Sequence, residues 1–146
     1  MGKSKRVKIK NTPNTTKKPR KDPAITDTLT VNPVWQTAVI DLDGRWSWKD
    51  IESVLFFNDI LPKIQFYESM TWHEILGRNS HEIKVEQISP EAKKRLVDLN
   101  LDDFETLVSL RLKGKQRVWG IKISNVFKIL WWDPNHEVYP SMLKNT

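Results

Sequence analysis

The side chains best suited to chemistry lie near the C-terminal end of the chain. His136 follows the turn sequence Asp133-Pro134-Asn135, and the ordinary pKa of an imidazole, ~6.5, suits general acid–base work. Tyr139 comes shortly afterwards and brings a phenolic hydroxyl to the same region. His136 is therefore a candidate proton-transfer residue with Tyr139 beside it. The alternative is a turn histidine that is merely exposed to solvent.

Positive side chains recur along the predicted strands before this turn, namely Arg111, Lys113, Lys115, Arg117, Lys122 and Lys128. Because side chains alternate between the two faces of a strand, Arg117 and Trp119 share a face. They could combine a phosphate clamp with a ring on which a base stacks, an interaction worth ~1–3 kcal/mol per base. Ile121 and Ile123 share that face too, so the other interpretation places Trp119 in the core and Arg117 at its margin.

The net charge of +6 is divided unevenly over the 146 residues. Residues 1–30 hold nine Lys or Arg and two Asp, a net charge of +7, whereas residues 31–146 hold fifteen basic and sixteen acidic residues, a net charge of −1. Within the latter part, residues 107–146 hold seven basic and two acidic residues, a net charge of +5. A concentrated basic face is the electrostatic footprint expected for phosphate binding.

Residues 1–30 are rich in Lys, Thr and Pro and contain few large apolar side chains. They cannot bury enough surface to offset a backbone entropy of ~1–2 kcal/mol per residue. We predict a disordered basic tail, which serves either as an arm for nucleic acid or the ribosome or only to keep the protein in solution. Residues 31–146 are expected to form a single domain.

The composition argues against several kinds of site. There is no cysteine, which excludes disulfides and cysteine-ligated zinc and fits a reducing compartment. The three histidines are not at metal-ligand spacing, and no nucleotide-binding glycine motif or nucleophile elbow is present. We therefore expect neither metal nor cofactor. No apolar run reaches the ~18 residues of a membrane helix, so we expect a cytoplasmic protein without a membrane partner.

Local signals predict an α+β domain. Val34–Asp41 is typical of a first strand, Ser47 can cap a helix through Leu55, and Pro62 can start another. Thr71-Trp72-His73-Glu74 fits a capping box, in which the threonine and glutamate satisfy each other's backbone N–H groups. Short helices are thus expected before the chain's second half.

The second half predicts one further helix and an antiparallel meander. Residues 81–88 favour a strand, and Ser89-Pro90 opens a helix with serine as the cap and proline at the first position. The expected meander then consists of Leu107–Leu112, Arg117–Ile123, Val126–Trp132 and a last edge strand at Glu137–Tyr139. The short helices should pack on this C-terminal meander.

The order of motifs between residues 82 and 140 carries further information. A strand leads into a helix opened by Ser89-Pro90-x-Ala92, and a turn of Lys113-Gly114-Lys115 leads into the strand that bears Arg117. The two-residue hairpin Ser124-Asn125 then precedes the apolar run VFKIL. In order and type, these elements resemble those of the RelE/ParE toxin superfamily.

The resemblance implies a compact endoribonuclease that acts on messenger RNA, often in the ribosome, and is neutralised by a cognate antitoxin; some members act on gyrase and others have lost activity. Metal-free RNA cleavage needs a base for the 2′-hydroxyl, cations for the phosphorane charge and an acid for the leaving oxygen. The candidate catalytic residues are His136, Arg117, Tyr139 and Lys115, and the candidate RNA-binding residues are Arg111, Lys113, Trp119, Lys122 and Lys128. The alternative is a non-catalytic nucleic-acid-binding or adaptor protein whose seven tryptophans supply a protein interface.

Overall fold

The computed structural model describes residues 28–140, together with Gly2. The predicted tail, residues 1–30, lies outside the described residues apart from Gly2 and a 3-10 turn at Thr28–Thr30. Its disorder therefore stays a prediction. Within residues 28–140, no helix combines the length and the apolar character needed to cross a bilayer.

A five-stranded mixed sheet forms the centre of the fold. Its strands, in chain order, are β1 (Val34–Gln36), β2 (His81–Lys84), β3 (Thr106–Arg111), β4 (Arg117–Ile123) and β5 (Val126–Asp133). Their order across the sheet is β1-β5-β4-β3-β2. Strands β2 to β5 are antiparallel, as the predicted meander requires, whereas β1 pairs with β5 in parallel. The α+β class is confirmed, with one parallel strand that the sequence did not predict.

Two of the helices begin at the side-chain caps that the sequence predicts. The helices are α1 (Ser53–Leu55), which runs through a π-helical segment at Phe56–Ile60 into α2 (Leu61–Glu68), then α3 (Trp72–Leu76) and α4 (Pro90–Asp98). The capping box at α3 is confirmed, because the Thr71 hydroxyl accepts the Glu74 N–H at 3.3 Å and the Glu74 carboxylate accepts the Thr71 N–H at 3.2 Å. The Ser89 hydroxyl caps α4 by accepting the Ala92 N–H at 3.2 Å.

Helices cover both faces of the sheet, and each face has its own core. Ile64 of α2 and Trp72 of α3 pack in one core, and Leu96 of α4 packs in the other. The adjacent residues Val118 and Trp119 of β4 belong to different cores. Since neighbouring side chains on a strand point to opposite faces, α4 lies on one face, and α2 and α3 lie on the other.

Three predicted elements are shorter than expected or do not form. The first strand ends at Gln36, and Ser47 caps no helix; its hydroxyl accepts the Lys49 N–H at 3.0 Å in a turn. The chain between these points instead packs along β5, where the Trp46 carbonyl accepts the Trp132 N–H at 3.0 Å. The strand predicted at residues 81–88 ends at Lys84 and continues as a 3-10 turn at Val85–Gln87. Tertiary contacts thus override the local pattern.

The edge strand predicted at Glu137–Tyr139 does not form. The edge of the sheet beside β5 is occupied by β1. The backbone N–H groups of Glu137 and Val138 bond instead to the Asp133 carboxylate, at 2.9 and 3.0 Å. A side chain therefore takes the place that a strand partner would have had.

The tryptophans pack in the interior of the fold. Five of the seven are buried and two are half-buried, the latter being Trp35 and Trp48. Trp35 packs edge-on against Phe127 with ring centroids 5.5 Å apart, and Trp48 lies against Trp132 at 5.9 Å. None of the seven is exposed. The adaptor alternative requires exposed tryptophans that anchor a protein interface, and no tryptophan has that exposure.

A bulge between β4 and β5 depends on Gly120. The register shifts at this point, where Trp119 pairs with Trp131 but Gly120 pairs with Ile129. A Cβ atom on Gly120 would lie 2.4 Å from the Lys128 carbonyl oxygen and 2.4 Å from Phe127 Cζ. The two backbones can approach this closely only because the residue has no side chain.

We expect the Gly120→Ala variant to lose about 1–3 kcal/mol of unfolding free energy, because the added methyl group overpacks a rigid core. Urea denaturation of the folded chain measures this loss. The control is Gly114→Ala, whose Cβ would meet nothing within 4 Å at a φ of 58°, and whose expected loss is only the backbone strain of about 1 kcal/mol. Equal stability of wild type and Gly120→Ala would contradict the close approach.

Candidate phosphate-binding site

A cavity of about 260 Å³ opens on the α4 face of the sheet, and no residue of α4 lines it. Two cross-strand rows form its floor. Arg111 on β3 pairs with Arg117 on β4, and in the next row Ser109 pairs with Trp119. Directly paired residues project from the same face of a sheet. The cavity is therefore the part of this face that α4 leaves uncovered.

The two sides of the cavity come from distant parts of the chain. His136 and Tyr139 contribute from the loop after β5. His81 and Ile83 contribute from β2, and Asn79 contributes from the segment just before it. His81 pairs with Ser109 across the β2–β3 ladder, which brings it beside the floor. Proton-carrying side chains thus stand on both sides of an arginine pair.

The arginine pair has no counter-charge bonded to it within residues 28–140. Arg117 Nη1 donates to the carbonyl oxygens of Gly114 and Gln116, at 2.8 and 2.9 Å, which fixes the guanidinium without neutralising it. Arg111 donates no side-chain hydrogen bond, and neither arginine forms an ion pair in this part of the chain. Like charges placed directly opposite each other destabilise a sheet. An anion bound between the two guanidinium groups would relieve the repulsion.

The electrostatics of the cavity support this interpretation. Burial lowers the pKa of Arg117, and the charge of Arg111 lowers it further, against the opposing pull of Asp133. An arginine stays protonated under any such shift near neutral pH. Burial and the charge of Arg117 likewise lower the pKa of His136 below its ordinary value, again opposed by Asp133. At neutral pH the imidazole is therefore mainly uncharged and able to accept a proton.

Asp133 holds the loop that carries His136. Its carboxylate is fully buried and accepts three N–H groups: the indole Nε1–H of Trp119 at 3.1 Å and the backbone N–H groups of Glu137 and Val138. His136 itself adopts a left-handed backbone, with a φ of 57°, a conformation that costs a residue with a Cβ roughly 1–2 kcal/mol. The bonds to Asp133 hold the residues beside it in this turn.

Trp119 belongs to the core, as the second of the two interpretations holds. Its side chain has no exposed surface, and its indole N–H donates a hydrogen bond to the Asp133 carboxylate. It lines the cavity as part of the floor. No face of the ring is open to a ligand, so the structure gives no support to the prediction that the ring stacks on an RNA base.

The four predicted lysines do not line the cavity with the arginines. Lys113 and Lys115 are exposed in the β3–β4 turn, which carries them past the end of the sheet, and Lys113 instead borders a hollow beside Asn58. Lys122 is on the opposite face, where its Nζ lies 5.4 Å from the centroid of the Trp72 ring and burial lowers its pKa. Lys128 pairs with Ile121 on the α4 face, away from the arginines.

Of the nine predicted site residues, the structure brings together Arg111, Arg117, Trp119, His136 and Tyr139. Two further lining residues, His81 and Ser109, are not among the predicted site residues. The alternation of His81 with Ile83 on one face of β2 is visible in the sequence, but nothing local specifies the register of β2 against β3 that brings His81 to the cavity.

Comparison of the chain with protein-family models, with curated proteins and with solved structures finds no match. The relationship to the RelE/ParE superfamily thus stays a prediction, and the function has to be argued from the cavity itself.

Proposed function

We propose that this chain is a RelE/ParE-like endoribonuclease module that cleaves messenger RNA and is neutralised by an antitoxin covering its cavity. One observation carries the proposal: two arginines that form no ion pair within residues 28–140, a histidine with a lowered pKa and a tyrosine line the same cavity of about 260 Å³. This is the set of groups that phosphodiester cleavage at a ribose requires.

The reaction follows from the position of these groups. His136 takes the proton of the ribose 2′-hydroxyl, and the 2′-oxygen attacks the neighbouring phosphorus. Arg111 and Arg117 stabilise the charge that builds up on the non-bridging oxygens, since a guanidinium can donate two parallel hydrogen bonds to a phosphate. Tyr139 donates a hydrogen bond to the same group. The P–O5′ bond breaks and the leaving 5′-oxygen takes a proton from an acid of the cavity lining, which leaves a 2′,3′-cyclic phosphate and a 5′-hydroxyl end.

The substrate class follows from the same chemistry. The nucleophile belongs to the substrate, so the protein has to supply only a base, cations and an acid, and the cavity lining offers side chains of each kind. DNA lacks the 2′-hydroxyl and cannot react in this way. The adaptor alternative finds less support, because its proposed tryptophan interface has no exposed tryptophan within residues 28–140.

Expression in a bacterial host tests the proposal. We expect the wild-type chain to stop growth, and His136→Ala and Arg117→Ala to restore it, because removing the base lowers the rate by roughly 10²–10⁴-fold. The control is Lys49→Ala, which removes an exposed positive charge outside the cavity and should stop growth as the wild type does. Normal growth at a high level of folded wild-type protein, with cellular messenger RNA intact, would contradict the proposal.

A further inference from the structure

We infer that His81, on the side of the cavity opposite His136, is the general acid that protonates the leaving 5′-oxygen. The inference rests on the proposed function and names the one role that His136, Arg111 and Arg117 leave unfilled. His81 lines the cavity on β2, whereas His136 and Tyr139 line it from the loop after β5. Both imidazoles thus border the same space.

The strand order sets the relation between the two histidines. Strands β3 and β4, which carry Arg111 and Arg117, lie between β2 and β5. Neighbouring strands are about 4.8 Å apart, so roughly 14 Å separates the backbones of β2 and β5. Imidazoles that reach inward from the two sides leave the space above the arginine pair for one phosphate.

The position of the two histidines matters because the phosphate is expected to react by in-line displacement. The attacking and leaving oxygens stand on opposite sides of the phosphorus atom. The base that serves the 2′-oxygen and the acid that serves the 5′-oxygen must therefore approach from opposite sides of the phosphate. His136 and His81 satisfy this requirement on either side of the arginines.

Tyr139 fits the acid role less well. It follows His136 in the same short loop after β5, and both residues line the cavity, so we place it with His136 beside the attacking oxygen and away from the leaving one. His81 is exposed, and its imidazole makes no hydrogen bond within the described residues. Solvent can therefore return a proton to it after each turnover.

Two RNA substrates that differ in one atom test the assignment. One has a normal scissile phosphodiester, and in the other sulfur replaces the bridging 5′-oxygen, so that a thiolate leaves without being protonated. For His81→Ala we expect cleavage of the normal RNA to fall about 10²-fold or more, while cleavage of the sulfur-containing RNA stays near the wild-type rate. His136→Ala should lose both activities, because the base is needed in either case, and Tyr139→Phe should slow both substrates by the same factor.

The control variant is His73→Ala, which removes an exposed histidine of α3 outside the cavity and should leave both rates unchanged. His81→Gln, which keeps a polar side chain on the edge strand, should repeat the result of His81→Ala. Equal losses on the two substrates in the His81 variants, or no loss on either, would overturn the assignment and leave the proposed function standing. Cleavage of neither substrate by the wild-type protein would overturn the proposed function and the assignment with it.

Discussion

Replacing Asp133 by alanine is expected to lower the unfolding free energy by about 3 kcal/mol or more, because each buried donor left without an acceptor costs about 1–3 kcal/mol. The donors that lose their acceptor are the buried N–H groups of the Trp119 indole and of the Val138 backbone, together with the partly buried backbone N–H of Glu137. The Asp133 side chain has no exposed surface. We therefore expect that water does not replace the missing carboxylate as the acceptor for these donors.

The same change should abolish the proposed RNA cleavage. Without Asp133 the loop that bears His136 loses both of its backbone bonds to the strand end, and Arg117 loses the negative charge that opposes its desolvation. Urea denaturation gives the stability and an RNA-cleavage assay gives the rate, measured where both proteins are folded.

Two further variants sharpen this prediction. Asp133→Asn keeps the shape of the side chain but turns an NH₂ group toward one of the three donors, so its loss should be intermediate. Asn135→Ala, an exposed change in the same loop, should alter neither stability nor rate. A stable Asp133→Ala protein with wild-type activity would show that the carboxylate does not hold the loop.

Replacing Asp41 by alanine is expected to cost about 3–5 kcal/mol, the range found when one partner of a buried ion pair is removed. Arg95 of α4 donates to Asp41 twice, from Nε at 2.9 Å and from Nη2 at 2.8 Å. The Trp131 indole donates to the same carboxylate at 3.0 Å, as does the backbone N–H of Asp43. One side chain thus ties a loop, a helix and a strand together.

Gly44 leaves the space that the Arg95 side chain needs to reach Asp41. Gly44 has a φ of 82°, and a Cβ atom on it would lie 2.7 Å from Arg95 Nε. Arg95 passes over this glycine to reach Asp41. Its side chain is 22% exposed, against 2% for that of Asp41, so water can partly solvate the arginine when the carboxylate is removed. We therefore expect the loss near the lower end of the range.

Thermal and urea unfolding of Asp41→Ala measure the loss, and Asp43→Ala is the matched control, because that carboxylate is exposed in the same loop. In the double variant Asp41→Ala/Arg95→Met the unpaired charge is gone, and stability should recover in part. A loss no larger than that of Asp43→Ala would contradict the role assigned to Asp41.

The contribution of Asp41 should also depend on pH. Burial alone would raise its pKa, but hydrogen bonds from Arg95, from the Asp43 backbone and from Trp131, with the charge of Arg95, outweigh burial and lower the pKa. Folding therefore favours the charged form. The added stability is fully present above the unfolded pKa of ~3.9 and is lost as the pH falls through the lower folded value. Consequently, the stability gap between wild type and Asp41→Asn should narrow over that acid range.

Local signals predicted the elements whose causes are local. Ser89 and Pro90 mark the start of α4, Thr71 and Glu74 form the box that begins α3, and the turn at Ser124 and Asn125 joins two strands close to their predicted limits. Each of these signals acts between residues a few positions apart. Period-two alternation also placed Arg117 and Trp119 on one face, as observed.

The errors occur where distant residues decide the structure. The chain around Ser47 is not helical because Asp41 and Trp46 are buried against β5 and α4. The predicted lysines are close to the arginines in the sequence, but a turn and a change of face separate them in space. The position of His81 at the cavity is not predictable from local signals, because the pairing of β2 with β3 is set by packing.

The parallel pairing of β1 with β5 also bears on the time at which the protein can act. These strands lie near opposite ends of the described chain, and a ribosome synthesises the first long before the last. While the polypeptide grows, β1 has no partner and Trp35 has no Phe127 to pack against. Long-range pairing of this kind is also the slow part of folding. Because the loop that bears His136 and Tyr139 is made later still, a nascent chain has no complete cavity until translation has passed that loop.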